Sequence, residues 1–189
     1  MEARMTPLRV GFYDVENGPT SFREHAPLTL PIAIAWSLDG VEGYWHRNAG
    51  RPNLMVKDSI SDLTDGLERF RTEFWDQIDV VCGHNIRQHD NPVLQGARLR
   101  CHLAPLKPKL ARDTLRDLIV TKGIARSLEA FCLHFELSEG KKHLSETEWE
   151  YLWSMETKAK RATVLDRCRS DVRLTIRVAE KLAELGYIR

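Results

Sequence analysis

The chain has 189 residues, 42% hydrophobic, 29% charged and 8% aromatic, a balance that excludes a disordered polypeptide. At this length about two-thirds of the unfolded surface is buried, so one domain over residues 1–189 with a core that needs no staples is expected. The formal net charge of +1 argues against a generic DNA-coating protein, but it conceals an asymmetry: residues 1–97 hold 9 Lys and Arg against 14 Asp and Glu, and residues 98–189 hold 19 against 13. That pattern suits either an unevenly coloured solvated surface or an acidic metal site beside a cationic track for a phosphate backbone.

Residues 8–15 alternate Leu8, Val10 and Phe12 with Arg9, Gly11 and Tyr13, the period of two that predicts a strand. The Gly, Pro and Ser-rich stretch from Asn17 to Ala26 reads as a loop. Residues 28–38 and 41–46 follow as two strands joined by Asp39-Gly40, a pair that tolerates positive φ and suits a tight hairpin. A helix is expected from Ser61, its N-cap, with Leu63, Leu67, Phe70 and Phe74 at helical spacing. The apolar run 78–83 reads as a buried parallel strand. A loop and helix from His84 to Arg100, a short strand near Lys109–Ala111, a helix from Ser127 to Phe135, another capped by Ser145 and Glu148, and a long helix from Ala159 to Leu185 complete an α/β order. There is no internal repeat.

Cys82, Cys101, Cys132 and Cys168 lie 19, 31 and 36 residues apart without a C-x-x-C pair, so neither a zinc knuckle nor a disulfide framework is indicated and a reducing cytoplasm fits. For the same reason His25, His46, His84, His102 and His134 receive no metal role. The N-terminus lacks a leader-like apolar run and no stretch approaches the ~20 residues of a membrane span, so no membrane association is expected.

The acids carry the chemistry. If Phe12 faces one side of the first strand, Asp14 and Glu16 continue that face, with Cα atoms ~7 Å apart. They are then either two solvated acids at a strand tip or a pair sharing a hard cation through oxygen. Asp90 follows the buried strand 78–83, where open α/β sheets bind ligands. Asp171 is followed by Leu174, Thr175, Val178, Leu182 and Leu185 at offsets 3, 4, 7, 11 and 14, which puts it on the apolar stripe of the last helix. An acid there costs several kcal/mol of desolvation unless it is paired or bound to metal. Arg167, one turn earlier, offers an ordinary ion pair as the alternative.

Three motifs in order resemble the DEDD superfamily of 3′–5′ exonucleases. FYDVEN, residues 12–17, resembles the family's apolar-D-x-E strand end; HNIRQHD, residues 84–90, its N-x-x-x-(F/Y)-D; and RCRSDV, residues 167–172, its Y-x-x-x-D. Between the last two, Ser127-Leu128-Glu129-Ala130-Phe131 resembles the S/T-L-x-x-hydrophobic motif of family B polymerase exonuclease domains, and Lys141-Lys142-His143-Leu144 their K-x-x-hydrophobic motif.

The resemblance implies a ribonuclease-H-like mixed sheet, three antiparallel strands then parallel ones, flanked by helices. It implies two divalent ions, Mg²⁺ or Mn²⁺, held by Asp14, Glu16, Asp90 and Asp171, with Lys141 neutralising the scissile phosphate. Asn85, His89, Ser127, Leu128 and Arg167 would contact the strand. The implied activity is removal of nucleotides from 3′ ends of single-stranded DNA, with RNA as a further substrate, in replication or proofreading beside a DNA polymerase.

Two departures bear on that activity. Arg167 stands where the family has tyrosine, and arginine keeps its proton, so it is no base. Three alternatives remain open: no protein base is needed, another group such as His143 substitutes, or hydrolysis is lost and the chain is a weakened module that grips single strands or a polymerase. His89 replaces the usual Phe or Tyr, and its ring still stacks on a base.

Overall fold

The computed structural model describes residues 7–17, 30–47, 57–120, 122–141, 144–152 and 157–188. Its elements are β1 (Val10–Asn17), β2 (Pro31–Leu38), β3 (Val41–His46), α1 (Lys57–Glu73), a 3₁₀ turn (Trp75–Gln77), β4 (Val80–Gly83), α2 (Asp90–Arg100), β5 (Leu110–Asp113), α3 (Leu128–His134), α4 (Glu146–Leu152) and α5 (Lys158–Glu184). The five strands form one sheet in the order β3-β2-β1-β4-β5. β1 and β2, and β2 and β3, pair antiparallel; β4 runs parallel to both β1 and β5. This is the mixed, helix-flanked sheet expected from the sequence. Asp39 and Gly40 turn the β2–β3 hairpin with φ of 52° and 80°, the positive values that this pair was read to supply.

Helices cover both faces. On one, Leu63, Leu67, Phe70 and Phe74 of α1 and the segment after it pack on Tyr13, Val15, Ile34 and Trp36. On the other, α5 lies across β1 and β2, with Val164, Cys168 and Val172 over Ile32, Ala33 and Ala35. Further along, Leu174, Val178 and Leu182 meet Phe131 and Cys132 of α3. Strand β1 therefore buries both of its faces: Phe12, Asp14 and Glu16 look toward α5, while Tyr13 and Val15 look toward α1.

That double coverage corrects several details. The strand begins at Val10 and runs through both acids to Asn17, while Leu8 lies outside it and is exposed. Helix α1 begins at Lys57, so Ser61 sits inside it and caps nothing. Strand β5 runs two residues past Ala111 to Asp113. Ser127 does cap α3, its Oγ accepting from Ala130 N at 3.1 Å. Ser145 and Glu148 form the expected reciprocal box before α4. Of the loop read from Asn17 to Ala26, Asn17 ends β1 and the part from residue 18 onward lies outside the described residues, as do Leu28 and Thr29. Among the described residues, no helix is long and apolar enough to cross a membrane.

Candidate metal centre

Helix α5 crosses β1 where that strand carries its acids, and this crossing makes the site. Asp14, Glu16 and Asp171 each place a carboxylate oxygen so that all three atoms lie within 4.8 Å of one another. Glu16 and Asp171 are buried. Lys141, from the segment after α3, brings Nζ to 3.1 Å from Asp171 Oδ2. Arg167 donates from Nε to Glu16 Oε1 at 2.7 Å, and its guanidinium lies 5.2 Å from the centre of the Trp149 ring of α4. Cys168, one residue on, directs its thiol at the Asp14 carbonyl at 3.3 Å. Beside Arg167, a cavity of about 360 Å³ is lined by Leu144, Ala162, Thr163, Asp166 and Arg167.

Asp90 belongs to the neighbourhood but not to the 4.8 Å group. Buried at the first turn of α2, it accepts the Val15 N–H through Oδ1 at 2.9 Å, and its Oδ2 lies 3.6 Å from His89 Nδ1. One carboxylate thus ties the β4–α2 loop to the strand that bears Asp14 and Glu16.

The electrostatics are those of crowded acids. Burial, then the charges of Asp90, Glu16 and Asp171, raise the Asp14 carboxyl well above its ordinary range, against the pull of Lys141. Burial pushes Glu16 up to about 7, with Asp171 adding to the rise and Arg167 opposing it. Lys141 is held more firmly protonated than a free lysine: burial works against its charge, and Asp171 and Asp14 outweigh burial. Burial likewise opposes the charged form of His89, and the hydrogen bond and charge of Asp90 overcome it, raising its pKa. Asp14, Glu16, Asp90 and Asp171 outnumber the two full cations beside them, Lys141 and Arg167, so their mutual repulsion adds to burial in raising the carboxyls of Asp14 and Glu16.

These residues fit a hard divalent cation. Asp171 is 3% exposed, its Oδ2 is taken by Lys141, and its Oδ1 is buried with no hydrogen-bond partner among the described residues. A buried carboxylate oxygen without a partner is costly in a folded protein unless a cation or a donor completes it. Oxygen ligands are what Mg²⁺ and Mn²⁺ prefer.

The remaining expected site residues separate. Asn85 adopts a left-handed φ of 65°, gives its N–H to Asp113 Oδ1 at 2.9 Å, and keeps its own Oδ1 buried without a partner among the described residues. Ser127 is exposed, with its oxygen engaged in the α3 cap. Leu128 is 3% exposed and packs with Phe131, Leu174 and Val178, because the residue after an N-cap here faces the core. Lys142 and His143 lie outside the described residues. Arg167 of α5 reaches Glu16 on the face of β1 that α5 covers.

Three contributors were not found from the sequence. Asp113, 1% exposed, accepts the N–H groups of Asn85, Arg87 and Leu115 and so shapes the loop that leads to Asp90. It sits at the C-terminal end of a parallel strand, the same signal that marked Asp90, and was missed because that strand was ended at Ala111. Trp149 and Cys168 meet their partners only through tertiary packing, which no local pattern announces.

An α/β fold with a three-carboxylate cluster, Asp14 half-buried and Glu16 and Asp171 buried, flanked by a lysine and an arginine, is the class that fold and site define. No protein-family model and no curated protein matches the chain. Among solved structures it is similar to the family B DNA polymerase from the hyperthermophilic archaeon Pyrobaculum calidifontis, with a TM-score of 0.63 and 19% identity. The match covers 97% of this chain and 25% of that one, so the chain spans about a quarter of the polymerase's length, and the likeness is one of fold.

Proposed function

We propose that this protein is a 3′–5′ exonuclease that hydrolyses the terminal phosphodiester of single-stranded DNA with the help of Mg²⁺ or Mn²⁺. The observation that carries the reading is the convergence of Asp14, Glu16 and Asp171 within 4.8 Å, with a buried, unpartnered Asp171 oxygen, on a sheet whose fold resembles part of a DNA polymerase. Asp14, Glu16 and Asp171 would hold the ion, and Asp90 supports them by fixing Val15 between the two strand acids. When bound, a divalent ion there would polarise the phosphodiester and make an attacking water more acidic.

The chain's own groups supply the rest. Lys141 stays protonated against Asp171 and offsets charge that builds on phosphate oxygens as the water oxygen joins phosphorus and the bond to the 3′ oxygen breaks. Asn85 offers a side-chain amide from a loop braced by Asp113, suited to holding a strand by hydrogen bonds. RNA is a substrate of the same chemistry, and a polymerase is the partner that would turn such an activity to proofreading.

A second reading rests on Arg167. It cannot accept a proton and is already bound to Glu16, which favours a weakened module that grips single strands without cutting. A 3′-labelled single strand incubated with Mg²⁺ or Mn²⁺ separates the two. Stepwise shortening that disappears in an Asp14→Ala, Glu16→Ala double variant supports the nuclease. Retention of the strand without shortening in either metal supports the module, and indifference to both strand and metal rejects both.

A further inference from the structure

We infer that the cavity beside Arg167 seats the nucleobase of the 3′-terminal nucleotide, and that it favours a base whose edge donates hydrogen bonds, guanine above all. The inference rests on the nuclease reading above and deepens it by naming what lies next to the phosphate. The cavity measures about 360 Å³ and is lined by Leu144, Ala162, Thr163, Asp166 and Arg167, at the small end of the range that small-ligand sites occupy. Its place is set by α5. Arg167 both lines the cavity and donates to Glu16 Oε1 at 2.7 Å, so a single side chain separates the cavity from the carboxylate cluster. A nucleotide whose phosphate meets that cluster has its base within reach of the cavity.

The lining selects the class of ligand. Asp166 and Arg167 bring opposite charges to the cavity, while Leu144 and Ala162 are apolar. A phosphate there would meet a carboxylate; a flat, neutral ring with polar edges finds apolar walls for its faces and polar groups for its rim. Arg167 also offers a plane on which a base can stack. Its guanidinium is held by Glu16 and by the Trp149 ring at 5.2 Å, and Trp149 does not itself line the cavity. The polar rim accepts hydrogen bonds. Asp166 carries a carboxylate, and Thr163 gives its hydroxyl proton to Ala159 O at 3.1 Å, which leaves its oxygen as an acceptor. Guanine presents two N–H groups side by side, cytosine and adenine an exocyclic amine, and thymine a single N–H between two carbonyls that a carboxylate repels.

The test is titration calorimetry of the full-length chain in Mn²⁺ with deoxyguanosine 5′-monophosphate, deoxythymidine 5′-monophosphate and 2-deoxyribose 5-phosphate, which has no base. The wild-type protein is expected to bind the guanine nucleotide about tenfold tighter than the thymine nucleotide, the worth of one hydrogen bond to a charged group, and both tighter than the sugar phosphate. Asp166→Ala is expected to cut the guanine preference to less than about twofold. Ala162→Phe, which fills the cavity from an exposed position on α5, is expected to bring both nucleotides down to the level of the sugar phosphate. Thermal melts of each variant confirm that it is folded. Equal binding of all three compounds by the wild-type chain, or no binding of any, overturns the inference, as does a guanine preference that persists in both folded variants. A guanine nucleotide held no tighter than the thymine one rejects the role given to Asp166. Shortening of a labelled strand in Mn²⁺ is scored separately: its presence beside equal binding of the three compounds leaves the nuclease reading standing while the inference fails, and its absence beside a base preference lost in both variants refutes the nuclease reading and leaves the cavity a nucleobase site.

Discussion

Replacing Asp14 by asparagine is expected to stabilise the metal-free protein while abolishing its response to metal. Asp14 shares a 4.8 Å cluster with Glu16 and Asp171, and two unit charges at that separation repel by about 3.5 kcal/mol at an effective dielectric constant of about 20. Asp90 adds a third repulsion and Lys141 opposes the set, so at a pH high enough for the raised Asp14 carboxyl to be ionised, removing its charge should return about 3 kcal/mol. For a domain of this size that corresponds to a melting temperature about 6–12 °C higher in EDTA. Adding Mn²⁺ to about 100 times its dissociation constant should stabilise the wild-type protein by about 2.7 kcal/mol and the variant hardly at all, closing the gap. Differential scanning calorimetry with and without Mn²⁺ reads both arms. An Asp14→Asn protein that melts no higher than wild type in EDTA would show that the acids are already compensated and call for no cation.

Two further outcomes follow from groups away from the acids. Burial, then the charge of Lys141, lowers His84 to about 4 from its ordinary 6.5, so the unfolded chain takes up this proton well before the folded one does. The stability His84 confers is therefore present above about pH 6.5 and lost as pH falls toward 4, about 2 kcal/mol of it between pH 7 and 5. His84→Asn, which retains a donor toward Thr114 Oγ1, should lose that much less over the same interval in urea unfolding, and equal losses reject the assignment. Leu128→Ala should cost about 2–5 kcal/mol in the same assay, as a buried leucine does, while leaving the affinity of the folded protein for a single strand unchanged. Weakened binding at full folding would support a strand-contact role for Leu128 instead.

What was legible in the sequence is what local physics dictates. The alternation along 8–15 marked β1, the Asp39-Gly40 pair marked a turn that needs two positive φ values, and the Ser145–Glu148 spacing marked a cap that forms as drawn. The same alternation could not tell that both faces of β1 are covered, because Tyr13 and Val15 look polar or ordinary by period yet are 1% and 3% exposed. Asp14, Glu16 and Asp171 were each suspect for a separate reason, a strand end or a buried stripe. Their meeting within 4.8 Å depends on where α5 crosses the sheet, and that is set by small side chains, Ala33 and Ala35, which let Cys168 and Val172 sit close to β2.

Arg167 shows most plainly where local reasoning ends. Its spacing one turn before Asp171 predicts an ion pair along the helix, and the helix does set both residues toward the sheet. The outcome was decided elsewhere. Lys141, arriving from the segment after α3, holds Asp171 Oδ2, while Glu16, on a different element, presents an oxygen at 2.7 Å that needs a cation. Two carboxylates and two cations can pair in either of two ways, and crossing the pairs ties α5 to β1 and the Lys141 segment to α5. That choice leaves Asp171 Oδ1 open rather than closed by a neighbour on its own helix, which is the feature a metal centre requires.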